Sequence, residues 1–211
     1  VDTGMGFERV VSLLQGVRSN YQIDLFQPCL DEIQRLTGNT DEERKENFTP
    51  YRVIADHARS AAFLIADGVI PGNTGRNYIC RMIIRRAARF GTKIGLNEPF
   101  MANVALRVIE SYSSAYPELG KNKKAILDSI TREEIRFRRT IEAGLDYLTE
   151  LLDGLKQSGG NILGGGVAFD LYATHGLPFE ITRDIALEQN LDVDEVGFKK
   201  AMEEHRLVSG A

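Results

Sequence analysis

Apolar residues recur at spacings of three and four along nearly all of this 211-residue chain, and period-two alternation is almost absent. That spacing lines one face of a 3.6-residue helix, so the expected fold class is mainly α, as a helical bundle-like assembly. Leu25, Phe26, Cys29, Leu30, Ile33 and Leu36 form one apolar face, closed by Gly38. The segment 39–50 is polar and charged and reads as a loop. Ile54, His57, Ala58, Ala61, Ala62 and Ile65 mark a helix with small residues suited to close packing. The stretch from Gly68 to Gly75, with Pro71 inside it, breaks that helix. Another is expected from about Asn77 to Phe90, with Ile79, Ile83, Ala87 and Phe90 as its buried stripe. Pro99 is expected in the first turn of the next, whose face is Met101, Val104, Ala105, Val108 and Tyr112.

The longest element is expected from about Lys123 to Gln157. Its stripe is Leu127, Ile130, Phe137, Ile141, Leu148, Leu152 and Leu155, interrupted by Glu134 and Gly144. Its polar face mixes Arg132, Arg136, Arg138 and Arg139 with Glu133, Glu134 and Glu142, which reads as a solvated face. Gly159 and Gly160 end it. Gly164, Gly165 and Gly166 mark a hinge or domain edge. Three short helices are expected beyond, near 168–174, 180–189 and 194–206, the last with Asp194 at its N-terminus. The expected pieces are residues 1–20, 21–160 and 161–211. A short strand at Val1 to Thr3, the remnant of a sheet outside this chain, is expected at the start.

With 43% hydrophobic residues the chain can bury a substantial core. The net charge of −4 argues mildly against a nucleic-acid binder, so the local distribution matters more. Between Gly68 and Asn97 stand Arg76, Arg81, Arg85, Arg86, Arg89 and Lys93, with no acid among them. Arg81, Arg85 and Arg89 are four apart, so each is displaced only about 40° from the last and the three form one ridge. Such a ridge suits a phosphate track along an RNA duplex. The alternative is a solvated helix face with acidic partners on a neighbouring helix.

Cys29 and Cys80 lie in apolar-periodic segments and read as buried free thiols; no disulfide framework or zinc spacing is present. His57 reads as a satisfied structural histidine, and His175 and His205 are isolated from other ligands. No apolar run approaches the roughly 18 residues of a membrane span and no signal peptide is visible, so a cytoplasmic location is expected.

The opening segment Asp2-Thr3-Gly4-Met5-Gly6-Phe7-Glu8-Arg9 places two glycines before a helix and an arginine in it. Glycines there let a ligand approach the backbone, and a planar guanidinium suits phosphate. This segment resembles motif 3 of the class II aminoacyl-tRNA synthetases. The runs 52–60 and 63–68, with Pro71, Asn73, Arg76, Tyr78 and the segment 83–87, resemble the middle region of the alanyl-tRNA synthetase family. The likeness holds in order and spacing along the chain, less tightly before Pro50 and in the C-terminal third.

The resemblance implies a fragment of an ATP-dependent alanine–tRNA ligase, with ATP and Mg2+ used by the whole enzyme and no zinc site here. It implies that Arg9 meets the terminal phosphates of ATP, that Gly4 and Gly6 shape the adenine–ribose side, and that Asp2 binds the substrate's amino group. It implies tRNA contacts by Asn73, Arg76, Arg81, Arg85, Arg86 and Arg89, with Asn73 reading a G·U wobble pair in the acceptor stem. No complete catalytic set stands in this chain, so it is expected to be inactive alone. The family usually has arginine where Met82 stands and glycine where Asn77 stands. It also has an aspartate where Ala173 stands, so the expectation is that Asn73 carries more of the recognition or that Thr174 or a water assists it. A helical RNA-binding module without an enzymatic parent and a protein-interaction scaffold are the competing readings.

Overall fold

The computed structural model describes the backbone of residues 4–209 and the side chains of all of these but 140, 142, 143 and 209. The expected strand at Val1 to Thr3 and the site residue Asp2 lie outside the described residues. The chain forms two compact units, Val1–Glu134 and Ile135–Ala211, with the division falling inside one long helix.

The first unit holds α1 (Phe7–Leu14), a 3-10 turn (Asn20–Gln22), α2 (Gln27–Thr37), α3 (Asp41–Glu46), α4 (Phe48–Ala66), α5 (Gly75–Thr92), α6 (Met101–Tyr112), α7 (Pro117–Lys121) and the start of α8 (Lys123–Gln157). Its core joins Ile33, Ile54, Ala58, Ala62, Ile84, Met101, Val108, Ile126 and Ile130, with Val11 of α1 packed against it. The small residues of α4 do what their pattern suggests: Ala55, Ala58, Ala61 and Ala62 are buried, where α4 packs on α5 and α6. Close backbone approach of this kind gains many dispersion contacts.

Polar side chains complete the frame. Glu32, buried on α2, accepts from Arg35 at 2.7 Å and from Arg107 of α6 at 3.3 Å. The hydrogen bond from Arg35 outweighs burial and holds the Glu32 carboxyl below the usual carboxylate range.

The segment 39–50 is a correction to the expected loop. It contains α3 and the first turn of α4. Thr40 accepts from the Glu43 N–H while the Glu43 carboxylate accepts from the Thr40 N–H, a reciprocal cap at the start of α3. Pro99 precedes α6, which begins at Met101. Ile79, expected in the buried stripe of α5, is 48% exposed, whereas Ile83, Ala87 and Phe90 are buried.

The second unit holds the rest of α8, β1 (Ile162–Leu163), α9 (Gly165–His175), α10 (Phe179–Glu188), β2 (Asp192–Val193) and α11 (Glu195–Ser209). The two strands pair in parallel, Ile162 with Asp192 and Leu163 with Val193. Ala168, Phe179 and Phe198 form a small core flanked by Phe169 and Tyr172. Asp194 caps α11, its Oδ1 accepting from the Gly197 N–H at 2.9 Å. Gly165 is where α9 and α11 come closest: a β-carbon there would lie 2.2 Å from the Phe198 backbone nitrogen. Gly165 is thus a contact glycine between these two helices.

Candidate nucleic-acid interface

The basic segment folds as the loop Pro71 to Thr74 followed by α5. The Gly72 N–H donates to the Asn77 carbonyl at 3.0 Å, and Gly75 opens the helix at φ 55°, a left-handed conformation that suits glycine. This turn carries Asn73 and Arg76, both exposed. Further along α5, Arg86 is half-buried and Lys93 exposed, and both cations lie over the Phe90 ring, at 5.6 and 5.4 Å from its centre.

The ridge of Arg81, Arg85 and Arg89 has a different environment. Arg85 and Arg89 are each only 6% exposed, and the Arg81 side chain 13%. Arg85 Nε donates to Glu133 Oε1 of α8 at 2.6 Å, and Arg81 Nε lies 3.4 Å from the same oxygen. Arg81 Nη1 also donates to Asn73 Oδ1. The ridge is real as a spacing, but Arg81 and Arg85 face Glu133 of the same chain and Arg89 is buried beside the Phe90 ring. The alternative expectation has an acidic partner on a neighbouring helix, but as part of a solvated face, whereas Arg85 and Arg89 are buried. The outward cations are Arg76, Arg86 and Lys93.

The expected solvated polar face of α8 holds at Arg132, Arg136 and Arg139, which are exposed, and is corrected at its two adjacent glutamates. Glu133 and Glu134 are both buried. Glu134 accepts from the backbone N–H of Phe100 at 3.1 Å and of Met101 at 2.9 Å, and so caps the N-terminus of α6 from another helix. The interruption of the apolar stripe at Glu134 is therefore a tertiary cap.

The opening segment places Gly4 in exposed chain and Gly6 at the N-cap of α1. Arg9 is exposed one turn in, its aliphatic stem passing Gly6, where a β-carbon would sit 3.4 Å from Arg9 Cδ. Its neighbour Glu8 anchors this helix: Arg59 of α4 donates to Glu8 at 2.6 Å while its guanidinium lies 4.4 Å from the centre of the Phe26 ring. Burial raises the Glu8 carboxyl, but its own backbone N–H and Arg59 prevail and hold it below the usual range. Beside this pair is a cleft of about 670 Å³ lined by Phe7, Phe63, Tyr112 and Tyr116.

His57 is only partly satisfied: Nδ1 lies 3.3 Å from Asp56 Oδ2, and the buried Nε2 has no hydrogen-bond partner among the described residues. Cys29 and Cys80 are free and buried. Among the described residues no group of three or more His, Cys, Asp or Glu is placed to hold a metal ion, and no helix is long and apolar enough to cross a membrane.

Comparison with known proteins gives the family of this chain. The family model described as tRNA synthetases class II (A) matches residues 1–211, and the chain belongs to that family. Similar curated proteins include alanine–tRNA ligases. That of Chloroflexus aurantiacus (strain ATCC 29366 / DSM 635 / J-10-fl) is 46% identical over 211 residues, covering 100% of this chain and 24% of the relative. That of Roseiflexus sp. (strain RS-1) is 43% identical over 206 residues, covering 98% and 23%. That of Idiomarina loihiensis (strain ATCC BAA-735 / DSM 15497 / L2-TR) is 46% identical over 206 residues, covering 98% and 23%. The chain spans about a quarter of the length of these relatives.

Proposed function

We propose that this chain is the acceptor-stem-binding segment of a cytoplasmic alanine–tRNA ligase, an enzyme that activates alanine with ATP and transfers it to tRNA. The observation that carries the reading is the exposed Asn73–Arg76 turn at the head of α5, in a stretch of thirty residues without an acid. Asn73 reads the G·U wobble pair. In that pair the guanine 2-amino group lacks its usual partner and stands in the minor groove, which in A-form RNA is wide and shallow enough for a short side chain. Arg76, Arg86 and Lys93 meet phosphates and set the register, while Arg81, Arg85 and Arg89 fix the helix that presents them.

Arg9 serves the nucleotide. Its guanidinium stands at the first turn of α1, where the backbone N–H groups and the helix dipole also favour anions. It fits a triphosphate and would neutralise phosphate charge during adenylate formation. No described carboxylate cluster suits the accompanying Mg2+, so the metal is assigned to no residue here. Gly4 and Gly6 leave the approach to that arginine open, and Asp2 serves the amino group of alanine.

The test is aminoacylation, by a full-length ligase carrying this segment, of paired acceptor stems that differ only in G·U or G·C. Asn73→Ala should cost about 1–3 kcal/mol of the preference for G·U. Removing Arg76 should weaken all stems alike and flatten the dependence of log K on log salt by about 0.7–1. An intact preference in Asn73→Ala would remove Asn73 from the reading.

A further inference from the structure

Asn73 sits on an exposed turn, yet its side chain is tied to the interior. A carboxamide has an accepting oxygen at one end and a donating NH2 at the other. On an unrestrained loop it turns over readily and presents either end. Here Arg81 Nη1 donates to Asn73 Oδ1. Arginine carries donors only, so the oxygen must be the end that faces it. The Nδ2 end then points away, and one lone pair of Oδ1 stays available.

Arg81 is itself held. Its side chain is mostly buried, with Nε in an ion pair 3.4 Å from Glu133 Oε1 but not hydrogen-bonded to it, while that oxygen accepts from Arg85 Nε at 2.6 Å. The guanidinium is a rigid planar fork. With the side chain mostly buried and its Nε edge beside Glu133, the directions open to Nη1 are restricted. An acid buried on α8 thus sets, through one arginine, the orientation of a side chain on the surface turn.

We propose that Glu133 and Arg81 are positioning residues for Asn73, locking its carboxamide in the single orientation that discriminates one base pair from another. The proposal rests on the reading of Asn73 as the residue that meets the wobble pair. It gives Arg81 a role that differs from a phosphate contact: removing the lock should reduce discrimination between stems, not affinity for stems in general.

The experiment measures binding of the full 211-residue chain to fluorescent acceptor-stem hairpins carrying G·U or G·C, by anisotropy at several salt concentrations. Arg81→Lys keeps the charge but loses the planar fork that reaches Glu133 and Asn73 together. It should lower the G·U to G·C affinity ratio by about five-fold, with little change in G·C affinity and an unchanged salt slope. In an Asn73→Ala background it should alter the ratio by less than about two-fold, because the two changes break one device. Glu133→Gln should move the ratio in the same direction; where circular dichroism shows that this variant fails to fold, Arg81→Lys decides. Equal weakening for both stems, or a flatter salt slope, would make Arg81 a general contact and overturn the proposal. An unchanged ratio in Arg81→Lys beside a lowered ratio in Asn73→Ala would overturn it while leaving Asn73 as the reader. An unchanged ratio in Asn73→Ala would overturn both.

Discussion

Replacing Glu134 by alanine tests whether a carboxylate buried on α8 holds the start of α6. The Glu134 side chain is fully buried. Both its oxygens accept from the Phe100 N–H at 3.1 Å, and one also accepts from the Met101 N–H at 2.9 Å. Those two donors have no earlier turn of α6 to serve. Alanine would leave both in a site closed to water, at about 1–3 kcal/mol for each orphaned donor. Removing a negative charge from the positive end of α6 adds roughly 0.3–1 kcal/mol. Alanine is at least as good a helix former as glutamate, so α8 itself is not weakened.

The expected loss is therefore about 2–7 kcal/mol, a large share of the 5–15 kcal/mol typical of a folded domain. Glu134→Gln keeps one oxygen for both N–H groups but sets an NH2 where the second oxygen stood. It should fall between, at about 1–3 kcal/mol. Urea unfolding followed by circular dichroism reads the effect as a shift in midpoint at constant slope. An alanine variant within about 1 kcal/mol of the parent chain would refute the argument, because the start of α6 would then have other acceptors.

Two further outcomes follow from packing and burial. Gly165→Ala would set a β-carbon 2.2 Å from the Phe198 nitrogen and 2.3 Å from the Gly197 carbonyl carbon, both backbone atoms. It should destabilise the unit 135–211 by about 1–3 kcal/mol or more, seen as faster hydrogen exchange in α9 and α11; unchanged exchange would contradict the close approach. Burial pushes the Cys29 thiol up to about 12 and the Cys80 thiol up to about 11. Both should resist an aromatic disulfide reagent at pH 8 in the native chain and react at once in urea, since the thiolate is the nucleophile; rapid labelling of the native chain would show that these sites open.

The limits of α8 were legible residue by residue, because a long apolar stripe at helical spacing is a local signal and the glycines that end it are local too. The same signal failed over Asp41 to Glu46, which has no apolar stripe at all. The cue present there was Thr40 three residues before Glu43, a capping pair. Two-residue strands such as Ile162–Leu163 are too short to show alternation, so only their pairing with Asp192–Val193 reveals them. Gly144 and Glu134 were visible as interruptions of the stripe, but not their reasons. The space a β-carbon of Gly144 would fill lies 3.2 Å from His175 Cβ, and Glu134 caps a helix that begins more than thirty residues earlier.

Sequence by itself determined that Arg81, Arg85 and Arg89 share one face of α5, because helical spacing alone fixes that. It also determined that Asn73 stands on the turn before that helix, between Pro71 and Gly75. Only the tertiary structure decided which way the arginine face turns. Arg85 meets Glu133 across 48 residues of chain, and no local pattern records a pairing made by folding. The fold also decided the surroundings of Asn73: its Oδ1 accepts from Arg81 Nη1, a contact between a surface turn and a mostly buried side chain of α5.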